Sequence, residues 1–207
     1  EAEAMFPLVG QRDVTHFIAS GQNLYHFYGL NPLLGSFNGA SIVSPFPLGT
    51  CQAFALERDG VLPGFSAAEC EILGLPTPVV FLSVHAILTP TYLRKAHIDF
   101  FAARAKLAIA QNKTVVLAGD LNTGAHDQYV QSLVDAGMKS ALNVKYNPNN
   151  DAMDEKNSTI PVTRPASKNR PDQIWYGGHI SLSDATVFSD TAHISDHLLV
   201  SATFKFL

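Results

Sequence analysis

Four short segments of the chain place acidic, amide or imidazole side chains at the ends of apolar runs, where they could exchange protons or hold a metal ion. In chain order the segments contain His85, then Asp120 and Asn122, then Asp172, and finally Asp196 and His197. Imidazoles and carboxylates act as general acids and bases, and carboxylates also bind hard divalent cations. Each segment alone also fits a structural role, because a strand histidine is usually a satisfied core residue and Asp-x-Asn often caps a turn. A functional interpretation therefore requires that the fold bring all four segments to one rim.

Buried strands and one long helix must position these segments. Residues 79–87 and 115–119 form apolar runs typical of buried strands, the first containing His85 and the second ending before Asp120. Between these strands a helix is predicted over 92–111, because apolar residues recur there at helical spacing. The recurring positions are Ala96, Phe100, Ala103, Leu107 and Ala110. Strands flanked by helices predict a layered α/β architecture.

Further elements are predicted on either side of this centre. We expect helices over 11–20 and 127–136, and a long polar surface loop over 143–170. Short strands are predicted at 25–28, 40–44, 51–58, 68–73, 173–176, 180–188 and 199–206. No repeat or linker interrupts this pattern, so residues 5–207 are predicted to form a single domain.

The composition is that of an ordinary globular chain. The 207 residues are 46% hydrophobic and 15% charged, and no apolar run reaches the ~18 residues that a membrane-spanning helix needs. The net charge of −4 argues against a basic nucleic-acid-binding patch, although a bound metal ion would supply positive charge locally. Residues 1–4, Glu-Ala-Glu-Ala, resemble the remnant of a yeast secretion leader, and we expect them to lie outside the fold.

Two cysteines and two glycosylation sequons fit a chain that passes through an oxidising, secretory compartment. Cys51 and Cys70 fall on the two arms of a predicted hairpin, which favours a disulfide between them; two buried free thiols are the alternative. The sequons begin at Asn112 and Asn157, and either could carry a glycan. We therefore expect a secreted protein.

The remaining histidines have simpler interpretations. His16 and His97 lie in predicted helices, where we expect them to face solvent. His126 and His193 lie close in sequence to the second and fourth segments, so they are candidates for lining the same pocket. Four histidines at one rim would be able to bind a transition metal in place of a harder cation.

The order and spacing of the four segments resemble the endonuclease/exonuclease/phosphatase superfamily, in particular its deoxyribonuclease I-like branch. The matching stretches are SVHAI, VVLAGDLNT, RPDQIWY and ISDHLLVSATF, and FNGASIVSPFPL resembles a further family strand that contains Asn38. The resemblance runs from about residue 11 to residue 207. It implies an α/β four-layer sandwich, in which two packed mixed β-sheets are flanked by helices. It also makes Asn38 a candidate for binding substrate, beside His126 and His193.

The same resemblance implies roles in phosphodiester hydrolysis. His197 would act as the general base or as a hydrogen-bond donor to the transition state, and Asp172 would orient its ring. His85, which resembles a histidine of the deoxyribonuclease-like branch, would protonate or hydrogen-bond the leaving oxygen.

Three further residues would serve the water, the phosphate and the metal. Asp120 would position the attacking water or contact a metal ion, and Asn122 would hold a phosphate oxygen through its amide. Asp196 would be an oxygen ligand for Mg²⁺, with Mn²⁺ or Ca²⁺ as alternatives.

The chain departs from the family pattern at its start. Family members usually have an early strand with an Asn and a later strand ending in Gln-Glu, and both residues serve the metal site; neither strand is recognisable here. We therefore expect an N-terminally shortened sandwich with an exposed sheet edge. Either residues 5–11 or a second subunit would cover that edge.

These expectations favour a secreted, divalent-metal-dependent phosphodiesterase that hydrolyses DNA, with RNA as a second candidate substrate. A phosphatase or a phospholipid phosphodiesterase of the same superfamily is the enzymatic alternative. The stretch RPDQIWY lacks the Trp-Cys-Asp-Arg form of the inositol phosphatases, which disfavours a phosphoinositide substrate. A catalytically silent protein that binds a ligand or partner is the alternative from another class, because the N-terminal ligands are not found.

Overall fold

A six-stranded mixed β-sheet forms the centre of the computed structural model. The structure describes residues 2–3, 19–29, 38–56, 65–124, 127–146, 161–165, 170–189 and 195–207. The strands are β1 (Ala2–Glu3), β2 (Tyr25–Gly29), β3 (Asn38–Ser44), β4 (Leu48–Leu56), β5 (Phe65–Ile72), β6 (Val79–His85), β7 (Thr114–Asp120), β8 (Lys139–Ser140), β9 (Asp172–Gly177), β10 (Ile180–Phe188) and β11 (Leu199–Phe206). The helices are α1 (Thr91–Ala110), α2 (Gln131–Asp135) and α3 (Ala141–Tyr146), with a 3-10 helix at Gln128–Val130.

The central sheet has the strand order β4-β5-β6-β7-β9-β8. Strands β6 and β7 run parallel with α1 as the crossover between them, whereas the other neighbouring pairs of this sheet are antiparallel. Both parallel strands are nearly continuous apolar runs, because each of their faces is covered by another layer. Their register pairs His85 with Asp120, so the two strands end side by side.

Helix α1, helix α2 and the 3-10 helix cover one face of this sheet, whereas α3 packs on the opposite face beside β10. Ile98 and Phe101 of α1 belong to the same buried cluster as Leu82 of β6 and Leu117 of β7, and all four are fully buried. Trp175 of β9 completes the cluster at 1% exposure. Burying a large apolar side chain contributes roughly 1.5–3 kcal/mol to the stability of the fold. This helical layer therefore helps to hold β6, β7 and β9 in a fixed register.

Two smaller sheets cover the opposite face. The hairpin β10–β11 packs around Val116 and Tyr176, and the sheet β1-β3-β2 brings Ile42 against Ala68. Phe81 of β6 contacts both clusters, which puts the two small sheets on the same side of the central sheet. The predicted α/β class is confirmed, with a mixed sheet, flanking helices and a second sheet layer. In the described part of the chain that second layer consists of two separate pieces.

The N-terminal end of the chain contributes an edge strand. Ala2 and Glu3 pair antiparallel with Gly39 and Asn38 of β3, although residues 1–4 were expected to lie outside the fold. Residues 5–11, which with a second subunit were the two candidates for covering a sheet edge, lie outside the described residues. Residues 19–21 are helical, and the rest of the helix predicted over 11–20 also lies outside the described part.

Helix α1 is confirmed, but its buried side differs from the apolar positions that predicted it. Leu93 and Phe101 face the core, whereas Leu107 is 50% exposed. Apolar residues occur on both sides of this helix, so spacing alone does not identify the buried one. The expectation that His97 faces solvent is wrong: the residue is 3% exposed, and its Nδ1 accepts a hydrogen bond of 3.2 Å from the backbone N–H of Ile87. The chain just after β6 needs that acceptor, which explains a buried imidazole.

Shorter elements differ in detail from the expectations. The helix predicted over 127–136 is divided into the 3-10 helix and α2. Helix α3 occupies the start of the region predicted as a loop over 143–170, and β8 was not predicted because two residues carry no periodic pattern. Among the described residues, no helix combines the length and the apolar character that a membrane span requires.

The predicted disulfide is confirmed. Cys51 of β4 and Cys70 of β5 are register partners in the antiparallel pair, and their sulfur atoms are bonded. The bond ties the edge strand β4 to the next strand of the central sheet. The alternative of two buried free thiols is therefore excluded in this structure.

Candidate active site

Strand register assembles three of the candidate residues into one row. In the parallel pair β6–β7, His85 is the partner of Asp120, and in the antiparallel pair β7–β9, Asp120 is the partner of Asp172. Register partners point to the same face of a sheet, so the three side chains lie next to one another at the ends of three adjacent strands. The His85 Nε2 and the Asp120 Oδ2 are 3.8 Å apart.

The backbone of β7 requires a glycine at the position before Asp120. Gly119 has a φ of +147°, and a Cβ atom at this position would lie 1.8 Å from the carbonyl oxygen of Val84. No side chain fits at that distance, so β6 and β7 can approach this closely only with glycine. The Gly-Asp pair of the sequence therefore has a backbone role as well as a chemical one.

Asn122 turns the chain sharply after β7. Its φ is +50°, a left-handed conformation that asparagine adopts more readily than most residues. The backbone N–H of Asn122 donates to the Oδ1 of Asp120 over 2.6 Å, which forms an Asx turn. The Asp120 carboxylate thus has one oxygen in the turn and its other oxygen near His85.

The side chain of Asn122 connects this turn to the end of β6. Its Nδ2 donates to the carbonyl oxygen of Ala86 over 2.8 Å and lies 3.3 Å from the Nε2 of His85. The amide was expected to hold a phosphate oxygen. In this structure its nitrogen instead fixes the position of the turn relative to His85, so that any contact with phosphate would use the amide oxygen or require a rearrangement.

His197 joins the row through Asp172. The His197 Nδ1 is 2.9 Å from each carboxylate oxygen of Asp172, and the two side chains are 26% and 20% exposed. If Nδ1 carries the proton and donates to the carboxylate, Nε2 is the nitrogen that can accept another proton. The expected His–carboxylate pair is therefore present with its reactive nitrogen on the side away from Asp172.

Thr163 holds the two segments of this pair together, and sequence reasoning did not identify it. The residue is fully buried; its Oγ1 accepts a hydrogen bond from the backbone N–H of Asp172, and its carbonyl oxygen accepts one from the N–H of Leu198. These contacts are 3.2 and 2.7 Å long. A threonine within a polar region predicted to be a loop gives no sequence signal for this role.

Gln173 provides a second connection that the sequence did not reveal. It is 2% exposed, and its Nε2 donates to the backbone oxygen of Thr123 over 2.5 Å. Its Oε1 accepts a hydrogen bond of 2.8 Å from the indole Nε1 of Trp175. A polar residue just before the apolar part of β9 was the available signal. The hydrogen bond from Gln173 to Thr123 fixes the turn after Asp120 against β9.

Asp196 lies at the exposed side of the site. Its side chain is 66% exposed, and its Oδ2 is 4.0 Å from the Nε2 of His197 and 3.1 Å from the Nη2 of Arg164. The ion pair with Arg164 was not anticipated from the sequence. Asp196 is thus close to the Nε2 of His197, where it could be a ligand of a metal ion that balances the charge of a phosphate.

Three groups of the site could hold a metal ion together, namely Asp120, Asp172 and His197, whose ligand atoms lie within 4.8 Å of one another. Asp196 stands outside this cluster in the part of the chain that the structure describes. Two carboxylates with further oxygen groups nearby form a donor set that suits a hard divalent cation. The residues present therefore fit such an ion, with Asp120 at the centre of the row.

The electrostatics of Asp120 reflect its position. Burial is the main cause that raises the pKa of this carboxyl above its ordinary value, and the neighbouring Asp172 carboxylate adds to the rise. The backbone N–H of Asn122 and the imidazoles of His85 and His197 act in the opposite direction. A carboxylate that is costly to ionise gains from a nearby cation, so metal binding and proton release are coupled here.

Several predicted residues cannot be placed in the site. His126, His193 and Asn157 lie outside the described residues, and only the backbone of Asn38 is described, at the start of β3. Asn112 is exposed before β7, at the opposite end of that strand from Asp120, and its Oδ1 is 2.9 Å from the Nε2 of His179. Its surface position is compatible with the predicted glycosylation.

The comparison with known families agrees with this geometry. The sequence pattern of the Endonuclease/Exonuclease/phosphatase family matches residues 6–197, and the chain therefore belongs to this family. Members of the family are generally hydrolases that act on phosphoester bonds. No curated protein sequence gives a significant match to the chain.

Solved structures show the same fold at low sequence identity. An endonuclease/exonuclease/phosphatase from Beutenbergia cavernae is 19% identical with a TM-score of 0.69, and the match covers 99% of this chain but 60% of that protein. The human Nocturnin catalytic domain with bound sulfate is 15% identical, with a TM-score of 0.66 and coverage of 94% and 79%. A mannosyl-6-phosphatase from Bacteroides thetaiotaomicron is 16% identical, with a TM-score of 0.70 and coverage of 93% and 81%. The chain thus spans about three-fifths of the length of the first of these proteins.

Proposed function

We propose that this protein is a divalent-metal-dependent phosphodiesterase that hydrolyses nucleic acid, with DNA as the preferred substrate. The observation that carries the proposal is the row formed by His85, Asp120 and Asp172, with His197 bound to Asp172. A phosphodiester requires a base, an acid and neutralisation of charge on its oxygens. The two imidazoles would serve as base and acid, and the carboxylates would hold the cation that neutralises the phosphate charge.

His197 and His85 would divide the acid–base work. With its Nδ1 bound to Asp172, His197 offers Nε2 to take a proton from water or to stabilise the transition state, and Asp172 stabilises the imidazolium that results. His85 lies on the other side of Asp120, 3.8 Å from its carboxylate, where it would serve the leaving oxygen. Two imidazoles on either side of one carboxylate fit a displacement in which the attacking and leaving oxygens lie on opposite sides of the phosphorus.

Mg²⁺ is the proposed cofactor, with Mn²⁺ or Ca²⁺ as alternatives. The ion would neutralise negative charge on the phosphate oxygens and polarise the phosphorus. Asp120 would hold it, since this carboxylate is half-buried and its raised pKa favours a cationic partner. Asp196 is the other predicted ligand. It would contribute only if its carboxylate left Arg164, or if it bound Arg164 and the metal ion at the same time.

The proposed setting is extracellular. The Cys51–Cys70 disulfide supports an oxidising compartment, because such bonds are rare in reducing cytosol. The surface position of the Asn112 sequon is consistent with the same route. Mass analysis of the protein purified from its natural source would test this: a glycan at Asn112 or Asn157 supports secretion, whereas reduced cysteines and unmodified sequons oppose it.

A panel of phosphate esters tests the substrate class. Supercoiled plasmid DNA, single-stranded RNA, a sugar phosphate monoester and a sphingomyelin vesicle would be incubated with the protein in Mg²⁺, Mn²⁺ or EDTA. We expect nicking of plasmid with a divalent ion and none in EDTA. Faster release of phosphate from the sugar phosphate would favour a phosphatase, a candidate supported by the fold similarity to the mannosyl-6-phosphatase. Inactivity on every ester with every ion would favour the catalytically silent ligand-binding protein.

A further inference from the structure

Arg94 makes two contacts that connect helix α1 with the turn after β7 and with the 3-10 helix. It is the fourth residue of α1, and its Nη1 donates a hydrogen bond to the backbone oxygen of Asn122. Its guanidinium carbon lies 5.0 Å from the centre of the Tyr129 ring. Its Nε is buried without a hydrogen-bond partner in the described structure. The side chain is thus held between an aromatic face and one backbone carbonyl.

Among the described residues, Arg94 is held by an aromatic ring and a carbonyl oxygen and not by a carboxylate. The side chain belongs to the first turn of α1, where the helix dipole disfavours cations, and no carboxylate forms an ion pair with it among the described residues. The guanidinium is stabilised instead by the carbonyl oxygen of Asn122 and by the face of the Tyr129 ring.

The orientation of the Asn122 peptide governs two elements of the site. With φ at +50°, the N–H of Asn122 reaches Asp120 Oδ1 and its side chain reaches Ala86 and His85. Rotation of the peptide that follows Asn122 would take the Asn122 carbonyl oxygen away from Arg94. It would also loosen the contacts of Asn122 with Asp120 and with the end of β6. Arg94 is therefore connected to Asp120 and His85 through a single residue.

We propose that Arg94 is a positioning residue for hydrolysis: it holds the Asn122 peptide in the left-handed turn that presents Asp120 and orients the Asn122 amide against His85. It acts through Asn122 and not by contact with the substrate. The kinetic part of this inference rests on the proposed phosphodiesterase function, whereas the structural part does not.

The test compares Arg94→Ala and Arg94→Lys with Arg104→Ala. Arg104 is a matched control, because it lies on the same helix, stacks 5.0 Å from the Phe54 ring and donates to Glu69, away from the row. A misplacement of about 1 Å at a reacting group can cost ~10²-fold in rate, so we expect Arg94→Ala to lower kcat by roughly 10- to 100-fold with little change in KM. Arg94→Lys should recover part of this loss, and added millimolar guanidinium should partly rescue Arg94→Ala.

An activity-independent readout separates this inference from the proposed function. In ¹H–¹⁵N spectra, Arg94→Ala should shift the backbone and side-chain amide signals of Asn122, and Arg104→Ala should leave them in place. Shifted Asn122 signals in a protein that cleaves no ester would retain the positioning role and reject the phosphodiesterase. Unshifted signals, an unchanged kcat, or an equal loss in Arg104→Ala would overturn the positioning role. A raised KM at constant kcat would also overturn it, because that result indicates direct contact with substrate.

Discussion

Replacement of Asp172 by asparagine removes one negative charge from the site and keeps the size of the side chain. Both Asp172 oxygens are 2.9 Å from the Nδ1 of His197, so the carboxylate accepts the Nδ1 proton whichever oxygen is used. Asparagine offers one oxygen and one NH₂ group. The variant therefore loses the charge that stabilises an imidazolium, and in one of its two amide orientations it presents a donor to Nδ1.

The size of the effect follows from the separation of the charges. Opposite charges about 4 Å apart interact by roughly 4 kcal/mol at an effective dielectric constant of about 20, and each 1.36 kcal/mol corresponds to tenfold in rate. The side chains of His197 and Asp172 are 26% and 20% exposed, so solvent reduces this interaction. We expect Asp172→Asn to lower kcat by about 10²- to 10³-fold.

The assay is the initial rate of plasmid nicking at saturating divalent metal, with melting temperature recorded to confirm folding. Asp184→Asn is the control, because Asp184 of β10 carries an exposed ion pair with Lys145 and lies in the small C-terminal sheet. The control should nick plasmid at the wild-type rate. If Asp172→Asn retained a rate within about threefold of wild type, the assignment of Asp172 as the partner of a reacting imidazolium would be refuted.

Three further changes test other parts of the structure. Gly119→Ala should destabilise the fold by about 4 kcal/mol or more, since its Cβ would overlap the Val84 oxygen at 1.8 Å; an unchanged melting temperature would contradict the backbone assignment. Asp120→Asn should raise the melting temperature in EDTA at neutral pH, because burial raises the pKa of Asp120 and its ionised form destabilises the folded state. This gain in melting temperature should shrink as the pH falls through the raised folded-state pKa of Asp120 and should vanish below the ordinary value of 3.8. A gain that did not change with pH would contradict the assignment of a raised pKa to Asp120. Replacing Cys51 and Cys70 together by serine should lower the free energy of unfolding in urea by about 3 kcal/mol, since the bond joins residues 19 positions apart in the sequence. Equal urea midpoints for the variant and the wild type would show that the bond adds no stability.

The sequence predicted the parts of the fold that have a local cause. The apolar runs that became β6 and β7 are nearly continuous, and apolar residues recur at helical spacing in α1, although on both of its sides. The glycine before Asp120 and the asparagine at Asn122 have backbone requirements that few other residues meet. For these reasons the strand ends that carry the row could be anticipated.

Contacts between distant segments could not be predicted in the same way. His97 is buried because the N–H of Ile87 needs an acceptor, and Thr163 is buried because it connects Asp172 with the start of the last strand. Neither requirement appears until the tertiary structure exists. Arg94 and Arg164 also look like ordinary surface cations in the sequence, and their contacts with Asn122 and Asp196 depend on loop positions.

The most direct test of the central claim is metal-dependent cleavage of supercoiled plasmid by wild type, His197→Ala and His179→Ala, each with Mg²⁺ and with EDTA. His179 is a matched histidine, since it also makes a side-chain hydrogen bond but lies beside Asn112, at the opposite end of β7 from Asp120. We expect nicking by wild type and His179→Ala in Mg²⁺, none in EDTA, and a loss of at least about 10²-fold in His197→Ala. Equal nicking by the two variants would contradict the assignment of hydrolysis to the His85–Asp120–Asp172 row and its bound His197.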